Sequence, residues 1–258
     1  MKHTINLMLA VILLYGLTIY SCKKNSNDDT NPTNPAHPTR TMLVGMEYSV
    51  EVYTDIFTYE YDDNYRIVRS REFVRDRETK QDFVSKEYNF SYSEGHISIN
   101  GFEPGSYGNL IISYECTLDD EGRIIHYDKT GGEDDDDTHV DFTYDYNGFL
   151  SKRGTDNYIW EAGNLKYIKK QGGEAQFETS YASSQAMPSL IGYGDIPELC
   201  AQGCFGTLPF NLPSKITYYS STPGPPYVVN ISYNVDANGH VSSFMKYGQI
   251  YTCHWEDI

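Results

Sequence analysis

Residues 138–150 read THVDFTYDYNGFL, and their alternation decides the fold. Val140, Phe142, Tyr144 and Tyr146 fall on one side of an extended chain, while His139, Asp141, Thr143 and Asp145 fall on the other. Side chains of a strand alternate with a period of two. A strand apolar on one side only belongs to an antiparallel sheet with one face in water. The run breaks at Asn147-Gly148, where Gly supplies the positive φ of a tight hairpin.

The same pattern recurs along the chain: aromatic-x-aromatic, a polar turn, then an aliphatic strand. It reads YEYDDNYRIV from Tyr59, FSYSEGHISI from Phe90 and CTLDDEGRII from Cys116, then YIWEAGNLKYI from Tyr158 and ISYNVDANGHV from Ile231. Gly95, Gly122, Gly148, Gly163 and Gly239 take the turn position, and Asn64 stands in for Gly in the first copy. An Asp or Asn just before can bond the turn backbone. Asn64, Gly95, Gly122 and Gly148 lie 26 to 31 residues apart, which predicts a repeated two-strand unit. Longer connections alternate with the tight ones at Asp76–Lys80, Phe102–Ser106, Gly131–Asp137 and Gln171–Glu174.

The expected fold is all-β, an antiparallel meander of roughly 14 strands without helical crossovers. So many strands in one sheet must curl or close, so a barrel or strongly curved roll is expected over a single domain, 42–258. Ser183–Ser214 breaks the rhythm. Its apolar Ile196, Leu199, Phe205, Leu208 and Phe210 predict a plug over one barrel end, with a short helix capped by Asp195.

The 258 residues include 24 Tyr, and 36 acidic against 20 basic residues leave a net charge of −16. That acidity excludes a phosphate-neutralising nucleic-acid partner. Ile5–Ile19 is an almost wholly apolar run, shorter than the roughly 20 residues of a spanning helix and typical of a secretory core. Tyr20-Ser21-Cys22 follows it and resembles a bacterial lipobox. The resemblance implies a signal peptide over 1–21, a diacylglyceryl group on Cys22, and a membrane partner engaged through that lipid. Residues 22–41 are polar, Pro-rich and free of aromatics, which predicts a disordered tether. The cell envelope is the expected location, as an outer-membrane lipoprotein on its periplasmic or surface face.

Three features together, the YxYDxxG hairpins, the WEAGNL run at Trp160–Leu165 and the NLPSKI run ending at Ile216, resemble a Bacteroidota family of secreted lipoproteins of unknown function. The hairpins alone are also similar to those of Rhs and YD-repeat proteins. The family resemblance implies a porin-like β-barrel and supplies no catalytic residues. Membrane spanning is not expected. In Arg66–Asp76 one row carries Arg66, Glu72 and Asp76 and the other Arg69, Arg71 and Arg75, and neither row suits lipid.

Chemistry is sparse. HExxH, GxSxG and phosphate-binding glycine motifs are absent from the sequence, so no enzyme activity, cofactor or metal is expected. Cys116, Cys200, Cys204 and Cys253 are an even set that can form up to two disulfides in an exported protein, in any of three pairings, Cys200–Cys204 as a local loop with Cys116–Cys253 across strands being one, or can remain buried thiols. A zinc set of Cys200, Cys204, Cys253 and His254 lacks paired CxxC spacing. The Glu133–Asp137 run reads as a solvated loop tip rather than a calcium site. Trp160, Tyr193, Tyr219, Tyr227 and Trp255 are candidates to stack on a ligand ring. The expectation is a non-catalytic binding or accessory module for a glycan, a peptide or an envelope protein. The alternative is a hydrolase of envelope or dietary polymers with dispersed carboxylates.

Overall fold

The structure, a computed structural model, describes residues 40–105, 108–132, 138–183 and 203–258. The signal segment, Cys22, the tether, the Glu133–Asp137 run, the Asp195-capped helix, Tyr193 and Cys200 lie outside the described residues. Among those described are sixteen strands. They run as β1 (Thr41–Ser49), β2 (Tyr53–Tyr61), β3 (Ile67–Asp76), β4 (Asp82–Ser93), β5 (His96–Gly105), β6 (Gly108–Leu118), β7 (Ile124–Gly131) and β8 (Thr138–Tyr144), then β9 (Leu150–Arg153), β10 (Asp156–Glu161), β11 (Asn164–Lys170), β12 (Gly173–Ser183), β13 (Asn211–Ser220), β14 (Tyr227–Val235), β15 (Val241–Lys246) and β16 (Gln249–Asp257). Each pairs antiparallel with its successor, and β16 returns to β1, closing the barrel. Thr41 faces Asp257 and Tyr48 faces Tyr251 across the seam. Just beyond it Arg40 and Ile258 exchange backbone hydrogen bonds of 3.1 and 3.0 Å. Closure removes both sheet edges.

Sixteen strands exceed the roughly 14 read from alternation, and several of them run farther into the connections than composition suggests. Phe102–Gly105 continues β5, Gly173 and Glu174 open β12, and Asn211–Ser214 open β13. Pro213 fits a strand because it sits beside register irregularities in the β12–β13 pairing, where a missing N–H is tolerated. Gly101 is the residue that β5 requires against β4: a Cβ there would lie 2.0 Å from the Glu87 carbonyl oxygen.

The barrel has two unlike ends. At one end, Asp62, Asp119, Asp145 and Asp236 each open a hairpin turn built from the same bonds. The carboxylate Oδ1 accepts the N–H groups of the residues two and four positions on, at 2.8–3.0 Å. The Asp carbonyl accepts the N–H three positions on, at 2.8–3.1 Å. That third residue holds positive φ: Tyr65 at 60°, Gly122 at 79°, Gly148 at 81° and Gly239 at 89°. The first copy corrects the sequence reading. Tyr65 takes the glycine position, not Asn64, because the Asp-anchored turn counts three residues from Asp62.

The turns are stitched to one another by aromatics. The fourth residue after each Asp packs on the aromatic that ends the next hairpin at this end. Arg66 lies 4.3 Å from the Tyr92 ring centre and Arg123 4.6 Å from that of Tyr144. Phe149 stacks on Trp160 at 4.6 Å and His240 on Trp255 at 4.7 Å. Each of these aromatics also donates back to the first strand carbonyl after the turn: Tyr92 to Ile67, Tyr144 to Ile124, Trp160 to Leu150 and Trp255 to Val241, at 2.6–2.8 Å. Tyr61 and Tyr233 make the equivalent bonds to Leu43 and Pro213. The recurring aromatic before the turn therefore has a polar duty, the usual requirement when a Tyr or Trp is buried.

The core is the barrel interior. Ile97, Ile99, Ile112, Tyr114, Cys116, Ile124, Tyr127 and Leu150 are fully buried there. Part of the expected plug is present: residues 203–210 lie across the Asp-turn end. Cys204 and Phe205 are buried, and Phe205 meets Phe142 at 5.3 Å. The outer face carries charge at mid-strand. Arg71 pairs with Glu60 at 3.0 Å and with Glu87 at 2.8 Å. Charge at mid-strand on the outer face does not suit contact with the bilayer core.

Candidate functional site

Away from the Asp turns the interior changes character. Lys86 of β4 pairs with Glu103 of β5 at 2.7 Å, and Tyr88 donates a hydrogen bond to the same carboxylate. Tyr88, Tyr114 and Tyr127 follow edge-to-face, at 6.4 and 5.6 Å. Arg153 of β9 donates to the Tyr127 hydroxyl at 3.2 Å. Lys129 lies 5.9 Å from the Tyr114 ring centre. Asp55 is buried, and its hydrogen bond adds to burial in pushing the Tyr48 hydroxyl up.

Two carboxyls in this half are driven apart. Burial raises Glu72, with Lys86 opposing. Burial also works to raise Glu103, but the hydrogen bonds from Lys86 and Tyr88 outweigh it and hold that group low.

At the rim of the same end, Tyr218 of β13, Tyr227 opening β14 and Tyr247 of the β15–β16 turn form a strip. Their ring centres are 6.0 and 6.4 Å apart, with interplanar angles of 27° and 16°. Tyr218 continues the row of buried Ile216, and Tyr227 that of buried Val229, so the strip is the interior row carried out to the edge. Tyr227 is 58% and Tyr247 53% exposed. Lys246 lies 5.2 Å from the Tyr247 ring centre, and burial pushes its ammonium pKa down. Three phenols in one strip offer apolar body and hydroxyl acceptors together, the mixture that suits a sugar or peptide chain.

The chain's fold is similar to that of a porin-like protein. A crystal structure described as a porin-like protein from Bacteroides uniformis ATCC 8492 matches at a TM-score of 0.63 and 15% identity, covering 87% of this chain and all of the other. A second porin-like protein, from Bacteroides vulgatus ATCC 8482, matches at a TM-score of 0.32 and 14% identity, over 84% of this chain and 99% of that one. No family model and no curated protein matches the chain.

The residues singled out in the sequence separate in space. Trp160 and Trp255 are partly buried and bound into the Asp-turn end through their indole N–H groups. Trp255 also lines a shallow concavity of about 600 Å³ with Thr41, Asp236, Asn238, His240 and Asp257. Tyr219 lies on the face opposite Tyr218, with its hydroxyl 3.4 Å from Gln176. Of the four candidates among the described residues, Tyr227 alone stands in the rim strip, and its other members, Tyr218 and Tyr247, were not among the candidates. Their signal was positional: each sits at the far end of a strand or turn, where an inward row runs out into solvent.

Cys116 of β6 and Cys253 of β16 are both buried thiols, six strand positions apart around the barrel, so the expected cross-strand disulfide between them is not formed. Burial raises both thiols to about 12, which makes them inert nucleophiles. Cys253 faces inward, while His254 is exposed beside Glu47 at 3.8 Å. Adjacent strand residues point to opposite faces, so these two cannot share a zinc ion. His126 and His139, which look scattered in the sequence, meet on the outer face of β7 and β8.

Proposed function

We propose that this chain is an envelope lipoprotein whose barrel is a non-catalytic binding module, held at the outer membrane by a lipid on Cys22. The observation that carries the reading is the Tyr218–Tyr227–Tyr247 strip. β1 begins at the Asp-turn end, so the preceding chain joins there, and the strip lies at the opposite end. A lipid on Cys22 would therefore attach the barrel from the end opposite the strip. The charged outer face favours a barrel standing on a tether over one set into lipid. A glycan is the favoured ligand, because aromatic strips receive the apolar faces of sugar rings while their hydroxyls take polar contacts.

Two measurements test the two halves of this reading. For the anchor, Cys22→Ala is expected to abolish metabolic palmitate labelling and release the chain from the membrane fraction; unchanged labelling defeats the lipid anchor. For the module, the full chain is passed through native gels containing peptidoglycan fragments or soluble α- and β-glucans. Retardation by at least one glycan, lost when Tyr218, Tyr227 and Tyr247 are all changed to alanine, is expected. Equal mobility in every gel overturns the glycan reading. Reducing ends released by the wild type and lost in Glu72→Gln would instead establish the hydrolase, which the split Glu72 and Glu103 ionisation favours.

A further inference from the structure

Two tripeptides of one form, His126-Tyr127-Asp128 and His139-Val140-Asp141, stand on the adjacent strands β7 and β8. An i, i+2 spacing places each His with its Asp on one face of a strand. Tyr127 between them is fully buried, so that face is the outer one. The antiparallel register sets His126 opposite Asp141 and Asp128 opposite His139. The four side chains thus form a square with the two imidazoles on one diagonal and the two carboxylates on the other.

The distances are short all round. His126 Nδ1 is 3.1 Å from Asp141 Oδ1, and its Nε2 is 3.1 Å from Asp128 Oδ2. His139 Nδ1 is 2.8 Å from Asp128 Oδ1, and its Nε2 is 3.8 Å from Asp141 Oδ1. The imidazole centres are 3.9 Å apart. One donor atom from each of His126, His139 and Asp141 falls within 4.8 Å of the others.

We propose that this square is a binding site for a divalent transition ion of the zinc type. Zinc takes nitrogen and carboxylate oxygen at about 2.0–2.2 Å in a tetrahedron, which sets neighbouring donors about 3.3–3.5 Å apart. His126, His139 and Asp141 each bring one donor atom within 4.8 Å of the others, so side-chain rotation brings these three to that spacing, and Asp128, which bonds both imidazoles, stands beside them as the candidate fourth donor. Two imidazoles select a borderline transition metal over calcium or magnesium, which require a shell of oxygens. The donors stand on hydrogen-bonded strands rather than on a loop, so little ordering is needed on binding.

A further carboxylate extends the negative field. Glu115 of β6 lies opposite Asp128 and is itself 2.6 Å from His96 of β5. The site is on the outer wall, separate from the tyrosine strip, and does not depend on glycan binding.

The test is equilibrium dialysis of the full chain against Zn²⁺, with Co²⁺ absorption reporting coordination. One tight equivalent is expected, and cobalt should give the intense visible bands of a tetrahedral site. His126→Gln with His139→Gln should weaken binding about 100-fold or more and abolish those bands, and Asp141→Asn alone about tenfold. His96→Gln and His254→Gln, outside the square, should change neither. These are surface changes, and unchanged thermal unfolding of each apo variant confirms that the fold is retained. The proposal is overturned if the wild type retains no zinc at micromolar concentration. It is equally overturned if affinity and cobalt spectrum survive in the double variant.

Discussion

Phe205→Ala is expected to lower the unfolding free energy by about 3–5 kcal/mol, the upper range for a buried aromatic. Phe205 is 2% exposed and packs on Phe142 inside the Asp-turn end. Cavity cost depends on whether the surroundings can collapse, and here the backbone is pinned on both sides. The Cys204 carbonyl accepts the Ile124 N–H at 2.7 Å, and Thr207 N–H donates to the Gly148 carbonyl at 2.8 Å. Farther along, Phe210 N–H donates to Gly163 at 2.9 Å, and Asn211 N–H to Asn164 Oδ1 at 2.8 Å. Gly206 lets the chain pass: it has φ +85°, and a Cβ there would lie 2.3 Å from the Gly148 carbonyl oxygen. A segment tied at four points cannot slide inward to fill the void. Urea unfolding of the full chain measures the loss. Tyr146→Ala, at a side chain 97% exposed, is the control and should stay within about 0.5 kcal/mol of wild type. A loss below about 1 kcal/mol for Phe205→Ala would show that residues 203–210 rest on the barrel rather than seal it.

How far the sequence carried depended on whether the signal was local. Alternation in Thr138–Tyr144 and the Gly122, Gly148 and Gly239 turns were readable because a strand's period and a turn's φ are properties of a few consecutive residues. The meander followed, since adjacent hairpins leave little choice of topology. Closure through β1 and β16 is a contact between the two ends of the domain, and only the cost of open edges hinted at it.

The His126–Asp141 square was hidden for a different reason. Both tripeptides are visible in the sequence, but whether His meets Asp or His across β7 and β8 is set by register. A one-residue slip sends a strand's side chains to the other face. Tyr218, Tyr227 and Tyr247 were hidden among 24 tyrosines, because composition cannot separate an inward row from its exposed end. Asn64 misled for the opposite reason: its tolerance of left-handed backbone is a residue property, and the count from Asp62 overrode it.

That count makes the Asp carboxylate the organising group of each turn, and Asp119 is the place to test it. Its Oδ1 accepts the N–H groups of Glu121 and Arg123 at 3.0 and 2.9 Å, and its Oδ2 accepts Arg123 Nε at 2.7 Å. Arg123, so held, lies over Tyr144, whose hydroxyl donates to the Ile124 carbonyl. One carboxylate therefore sets the turn, the cation and the aromatic of the following hairpin. Asp119→Ala removes an ionised acceptor from two backbone donors at once and is expected to cost about 1.5–3 kcal/mol. Asp119→Asn keeps a carbonyl oxygen where Oδ1 stood, so it should retain about half of that stability while weakening the hold on Arg123. Tyr144→Phe deletes only the last link. If the three groups act as one unit, a double-mutant cycle between Asp119→Ala and Tyr144→Phe should show a coupling of about 0.5 kcal/mol or more, measured by urea unfolding. Strict additivity would mean that the turn and the aromatic stabilise the barrel independently, and that their recurrence at Asp62, Asp145 and Asp236 is repetition without mechanical connection.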